Sequence, residues 1–460
     1  MPAERNPVAE TLTIALFCLA LIACGVLGQP ILYGLAVGLV IFCAYALWKV
    51  RALRPLGRMI LDGVLTAKGV LIMFVFIGML TGLWRASGTI AALVTFAASF
   101  FTPTTLVALA FVSCSAVSFL IGTSFGTAAT MGVVCATIGQ SAGVDPLVLG
   151  GAILSGCYFG DRCSPVSSSA YLVAELSGTT VRQNIPRMLK SALVPLALSL
   201  VAYLALGIAL DPGTEISAAG NEIAQGFDLH PAVYLPALAV LALPLICRNA
   251  RLALFVSSAI AFALCLLVQN EEPLSVAQTV VLGFAAEGKS ALVQGGGIVS
   301  MAYPAAVVCL SSAYAGIFQA TGLLKGMQQH LRKLGERITK FGACLVTALG
   351  TSCVACNQTL SIMLTNQLYG PLQRNNKTLA LELEDSAVLI AAAIPWSIAS
   401  LVVLQVSGNA PTASIACAFF LFLVPLWHLT VEVVSTWRSR HNAQADNRKG
   451  TKRRNTLPLS

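Results

Sequence analysis

Charge is what this sequence has least of. Only 10% of its 460 residues are Asp, Glu, Lys or Arg, while 57% are apolar. A soluble domain carries about 25% charged residues, so most of this chain has no face meant for water. Histidine is scarce too, and none of the four stands at a spacing that suggests a metal centre or nucleophilic catalysis. No nucleophile–base pair is evident for a membrane-embedded enzyme. No Walker A sequence is present, which argues against energy from ATP bound on this chain. A disulfide framework is equally absent: most of the 14 cysteines sit inside apolar runs, among them Cys18, Cys24, Cys43, Cys114, Cys265, Cys309 and Cys417. There Cys acts as a small hydrophobe. Cys353 and Cys356 form a lone CxxC without a second pair, which reads as helix packing.

What is present is long apolar runs, at 12–28, 30–48, 64–84, 104–121, 188–210, 231–247, 252–268, 299–320, 386–406 and 411–431. About 17–20 apolar residues cross a hydrocarbon core of roughly 30 Å. The expected fold is an all-α polytopic bundle of about ten to twelve membrane segments, since a helix satisfies its own backbone in lipid. The first run lacks a clean Ala-x-Ala end and meets a second span at once, so it is expected to be retained.

Basic residues in short loops mark the cytoplasmic side. Lys49, Arg51, Arg54 and Arg58 form one cluster; Arg182, Arg187 and Lys190 another; Arg248 and Arg251 a third. His330, Arg332, Lys333, Arg337 and Lys340 follow, then Arg374 and Lys377. Acidic loops alternate with them, at Asp211, Glu215, Glu222 and Asp228 and at Glu271 and Glu272. Both termini fall inside on this pattern, in a cell membrane. The net charge of +9 comes largely from the tail after Trp437, which has seven basic residues against Asp446. It is no nucleic-acid signal; a disordered cytoplasmic tail is expected. Trp84–Arg85 reads as an interfacial aromatic beside a snorkelling charge, and Glu287 with Lys289 as a pair on an exposed turn.

The halves of the chain resemble each other. Thr81–Ile90 matches Ala315–Leu324, Leu120–Ser124 matches Ala348–Ser352, and each half then reaches a Pro-x-Ser step, at Pro165 and Pro395. The flanking charges give the two copies opposite orientation, as in secondary transporters, whose sites lie where the repeats meet. The organisation expected is 1–58 as N-terminal helices with a basic loop, 59–230 and 273–436 as inverted repeats, 231–272 as connecting helices, and 437–460 as the tail.

Gly122–Gly132 interrupts an apolar region with glycines and hydroxyls, as an unwound or re-entrant segment would. Thr123, Ser124 and Thr127 would offer oxygen to a hard cation such as Na⁺; close packing through small residues is the other reading. Asp161 and Arg162 follow a wholly apolar run, and a charge deep in a membrane marks a candidate site. A carboxylate can hold Na⁺ or a proton, but not both favourably. Asp161 is thus the candidate exchange group, with Ser164, Ser167 and Ser168 around Pro165 as further oxygens; a structural ion pair is the alternative. In the second half, Asn357, Gln358, Thr359 and Ser361 bring polarity to the matching position. Glu382, Glu384 and Asp385 open the run 386–406, where the dipole of a first helical turn would account for two acids. Asp385 is kept as a transport candidate. Pro395 is expected to kink that helix.

Gly122-Thr-Ser-Phe-Gly-Thr, Gly160-Asp-Arg-Cys-Ser-Pro-Val-Ser, Leu383-Glu-Asp-Ser and Ile394-Pro-Trp-Ser, in this order, resemble the NhaC-type Na⁺/H⁺ antiporter family of the ion transporter superfamily, from about residue 60 to about 430. The resemblance implies inverted repeats, re-entrant hairpins, a mobile transport domain and often a homodimer. One departure stands out. Many members continue the second motif with Ser-Asp-Thr-Thr-Asn-Leu, where this chain has Ser167-Ser168-Ser169-Ala170-Tyr171-Leu172. The expectation is a secondary transporter without a bound cofactor, exchanging Na⁺ for H⁺. The alternative is Na⁺- or H⁺-coupled movement of a small organic anion or amino acid, whose carboxylate the half-helix starts at Ser124 or Asn357 could bind.

Overall fold

The computed structural model describes residues 7–454 except 28, 99–101, 166, 211–225, 248–249, 286–293, 322–338, 356 and 408–411. The expectations for Asp211, Glu215, Glu222, Arg248, Glu287, Lys289, Cys356 and the cluster from His330 to Arg337 lie outside the described residues. Helices dominate. In chain order they are α1 (Pro7–Val26), α2 (Ile31–Val50), α3 (Leu53–Thr66), α4 (Lys68–Ala86), α5 (Thr89–Ala98), α6 (Pro103–Ile121), α7 (Ser124–Thr127), α8 (Val133–Ser141), α9 (Pro146–Cys163), α10 (Ser168–Ser177) and α11 (Val181–Ala209). Then come α12 (Leu235–Cys247), α13 (Ala250–Leu267), α14 (Pro273–Leu282), α15 (Ala302–Thr321), α16 (Lys340–Ala355), α17 (Gln358–Tyr369), α18 (Asn376–Asp385), α19 (Ala387–Ala393), α20 (Ile398–Val406) and α21 (Phe419–Arg454).

This is an all-α polytopic architecture. Leu32–Val50, Thr104–Ile121 and Val181–Ala209 are each long and apolar enough to cross a membrane, and α18–α19 with α20 form an apolar helix pair bent by 60° at its break. Among the described residues, further apolar stretches of 10–17 residues fall on α1, α4, α12, α13, α14, α15 and α21. The bend falls at Pro395, as its missing N–H requires.

Lipid tails are as apolar as Leu, so close backbone approach rather than hydrophobicity holds such helices together. Gly156 and Gly160 on α9 seat α6: a Cβ at Gly160 would stand 2.0 Å from the Ser118 carbonyl carbon, and one at Gly156 2.7 Å from the Phe111 carbonyl oxygen. Gly63 and Gly316 bring α3 onto α15 in the same way, at 2.3 Å from the Ser312 oxygen and 1.9 Å from the Met59 oxygen. One large core joins residues of α4–α6, α8–α11 and α19–α21; a second joins α1–α3 to α15, and a third α10, α16, α17, α18 and α19.

Several local expectations change. The basic stretch after Val50 is not a loop: Leu53–Thr66 is a helix that spans the expected boundary at 58–59. Trp84 is not interfacial but fully buried, its indole N–H donating to Ser257 Oγ at 3.0 Å. α21 continues through Arg454, into the segment expected to be disordered. Glu382, Glu384 and Asp385 do not open a helix. They close α18, which starts at Asn376 where Asn375 Oδ1 accepts from Lys377 N at 3.0 Å and Thr378 N at 3.3 Å.

Candidate functional site

The two Pro-x-Ser steps do the same local work. Ser167 and Ser397 both take extended backbone (φ −70°, ψ 131° and φ −76°, ψ 140°) and cap the next helix, through Ala170 N and Ala399 N. α9 therefore ends at Cys163, and its last turn carries Asp161 into the interior with 3% exposure.

Three chain breaks converge on Asp161. At the first, Gly122 adopts φ 76° to end α6, and Thr123 accepts from Gly126 N at 3.2 Å to start α7. Gly122–Gly132 is thus not unwound throughout. It is a sharp turn followed by helix, with a π-helical stretch over Ala128–Gly132, a form common at functional sites. The Ser124 backbone N–H and the Ser169 hydroxyl face the Asp161 carboxylate. At the second break the hydroxyls of Ser167 and Ser169 both donate to the Asp161 carbonyl, the latter at 2.8 Å. The third break comes from the other half of the chain: Asn357 caps α17, and Gln358 Nε2 donates to Asp161 Oδ2 at 2.8 Å and to the Val388 carbonyl at 3.1 Å. Tyr158, one turn before Asp161 and fully buried, donates to the Ala399 carbonyl at 2.9 Å and lies beside the Ser124 hydroxyl.

Of the residues expected at the site, Asp161, Ser124 and Ser167 come together. Thr123 and Asn357 are helix caps, and the Thr127 hydroxyl donates to the Thr123 carbonyl at 2.9 Å. Ser164 is buried where α9 ends. Ser168 and Thr359 are exposed and stand outside the buried cluster. The matching motif in the second half is displaced: Gly350–Ser352 lie within α16, and the break falls at Asn357. Thr351 and Ser352 instead tie α16 to α17, by Thr365 at 2.7 Å and Ser361 at 2.6 Å.

The structural ion pair foreseen for Asp161 exists, but it belongs to its neighbour. Arg162, fully buried, directs Nε at 2.9 Å and Nη2 to Asp385 Oδ1; Nη1 donates to the Met188 carbonyl at 2.9 Å and Nη2 to Ser191 Oγ at 2.6 Å. Asp385 Oδ2 lies 2.6 Å from His428 Nδ1, and the imidazole stacks on Phe341 at 3.9 Å. Asp385 is therefore held by two partners. Sequence reasoning missed Ser169, Tyr158, His428 and the contact made by Gln358. Ser169 lies inside the flagged motif and Gln358 beside a flagged cap; His428 gives no sequence signal, being one polar residue in an apolar run. Among the described residues, no three His, Cys, Asp or Glu side chains gather as metal ligands. The oxygens at Asp161 are one carboxylate with neutral hydroxyl and amide groups, a hard donor set.

A buried carboxylate where broken helices from both halves of an all-α membrane bundle meet is the kind of site that secondary transporters carry. The chain belongs to the Na⁺/H⁺ antiporter family, whose signature matches residues 156–431. Over 450 residues it is 25% identical to the Na⁺/H⁺ antiporter NhaC of Bacillus subtilis (strain 168), covering 93% of this chain and 98% of that one. It is also 25% identical over 363 residues to the malate-2H⁺/Na⁺-lactate antiporter of the same organism, covering 75% of this chain and 76% of the relative. The arginine/ornithine antiporter ArcD of Halobacterium salinarum is 25% identical over 353 residues, covering 73% and 72%.

Proposed function

We propose that this chain exchanges Na⁺ for H⁺ across a membrane, with Asp161 as the carboxylate that binds Na⁺ and against which the proton competes. The observation that carries the reading is Asp161 itself, buried at the meeting point of the three breaks and contacted from both halves of the chain. Gln358 suits both states: its amide nitrogen donates to the ionised carboxylate, and the same amide turned over presents its oxygen to a cation. The missing carboxylate and amide of the family pattern fall outside the proposed site. They correspond to Ser168 and Tyr171, both exposed on α10, while Asp161 and the hydroxyls of Ser167 and Ser169 remain. A homodimer in the cell membrane with both termini cytoplasmic belongs to the same proposal, the orientation supported by the basic residues around Lys49–Arg58.

The test is transport in proteoliposomes loaded with a pH-sensitive dye, comparing wild type with Asp161→Asn as Na⁺, K⁺ and Li⁺ are added, followed by organic acids and amino acids. Proton movement driven by Na⁺ alone and abolished in the variant is the expected outcome. Silence with cations but a response to one organic solute would replace the reading by coupled solute transport.

A further inference from the structure

The acids that close α18 differ in their company. Glu382 accepts from the Tyr369 hydroxyl at 2.8 Å and from Gln373 at 3.0 Å, and Asp385 is held by Arg162 and His428. Between them Glu384 is fully buried, and among the described residues no donor reaches either of its carboxyl oxygens. It stands immediately before the Asp385–Ser386 break that separates α18 from α19, within the bent helix pair. The groups acting on it electrostatically are Asp161, Arg162 and Cys163 of α9 and Asp385 of its own helix.

That setting admits one form of the side chain. An ionised carboxylate with no protein donor in a low-dielectric interior is costly, and two neighbouring carboxylates add repulsion. Arg162 is the one cation among those groups, and its Nε and Nη2 are already turned to Asp385. Neutral Glu384, proton in place, is what the pocket accommodates while Asp161 is ionised and empty.

We infer that Glu384 carries the transported proton while Asp161 carries Na⁺, so that the two cargoes compete through charge and not for one set of oxygens. The inference rests on the exchange reading and adds to it a residue for the proton. Na⁺ arriving at Asp161 cancels the negative charge that holds the proton on Glu384. The Glu384 O–H bond then breaks, its electron pair stays on the carboxylate facing Arg162, and the proton leaves to water on the side to which the site is open. On the return leg Na⁺ departs, Asp161 regains its charge, and Glu384 takes a proton back. Each state holds one compensating cation across the pair, and linkage makes the antagonism reciprocal.

Equilibrium Na⁺ binding to the purified protein in detergent tests this without requiring transport. Wild type should release protons into unbuffered solution when NaCl is added, and its apparent Na⁺ affinity should fall about tenfold per unit of acidification over the range in which Glu384 is protonated and Asp161 still ionised. Glu384→Gln should still bind Na⁺, with no proton release and an affinity independent of pH across that range. Asp161→Asn should bind no Na⁺. Proton release and pH-dependent affinity unchanged in Glu384→Gln would overturn the inference and return the proton to Asp161. A wild type that releases no protons on binding Na⁺ would instead defeat the exchange reading itself. Should Glu384→Gln not fold, Glu384→Met serves in its place, since an unpartnered carboxyl tolerates an apolar residue of similar volume. The same two outcomes then decide.

Discussion

Replacing Asp385 by Asn keeps the volume of the side chain and removes the counter-charge of a guanidinium that has no access to water. Arg162 retains three neutral acceptors, the Met188 carbonyl, Ser191 Oγ and Cys163 Sγ, but Nε and part of Nη2 lose an ionised partner. Breaking a buried pair by removing one partner costs about 3–5 kcal/mol. The lower end is expected here, because Glu384, adjacent in sequence and acted on by the same guanidinium, can ionise and take over as counter-ion. The structure thus predicts a loss of about 3 kcal/mol in Asp385→Asn, and a larger loss when Glu384→Gln is added. Arg162→Met combined with Asp385→Leu should cost clearly less than the sum of the two single changes, with a coupling of about 1–3 kcal/mol. Unfolding in mixed micelles, followed by circular dichroism, measures each term. A loss below about 1 kcal/mol in Asp385→Asn, or additive costs in the cycle, would show that water reaches the pair and refute its role in joining α9 to α18.

Further outcomes follow from particular contacts. Gly160→Ala places a methyl group against the Ser118 backbone and should cost roughly 1–3 kcal/mol or abolish folding; Gly57→Ala, with nothing within 4 Å, should be neutral or stabilising by up to about 1 kcal/mol. Thermal melts of the purified variants separate the two. Ser167→Ala removes a helix cap and a donor to the Asp161 carbonyl and should lower stability by about 1 kcal/mol while weakening Na⁺ binding; Ser168→Ala should change neither. Gln358→Leu takes a hydrogen bond from a buried carboxylate, a loss of about 1.5–3 kcal/mol, and should make Na⁺-driven proton movement in vesicles slower at every Na⁺ concentration.

Fold class was legible because scarcity of charge and recurrence of apolar runs survive any arrangement of the helices. Asp161 was legible for the same reason: an acid after a long apolar run has few places to be except inside. What failed was phase and direction. Leu53–Thr66 carries Arg54 and Arg58 and so resembles a loop, yet its apolar face and Gly63 fit it to α15. The acids at 382–385 precede an apolar run, which suggested a helix start, because the cap at Asn375 lies upstream in a polar segment. The choice among Ser167, Ser168 and Ser169 depended on which way α10 turns after Pro165, and one position of shift exchanges an inward for an outward hydroxyl. Long-range partners were beyond reach: nothing in the sequence around His428 points to residue 385, or in that around Gln358 to residue 161.

The glycine contacts limit which parts of the molecule can slide. Where α9 meets α6, Gly160 rests on the main chain at Ser118–Phe119 and Gly156 on the Phe111 carbonyl and the Cys114 Cβ, an atom that no rotamer change moves, so neither contact yields to let one helix pass the other. α3 and α15 are joined in the same manner through Gly63 and Gly316. Each pair must travel as one piece. Asp161, at the end of α9, therefore keeps its register with the turn at Gly122–Ser124 throughout any cycle. Exposure of the ion first to one side of the membrane and then to the other has to come from slip along surfaces paved with side chains.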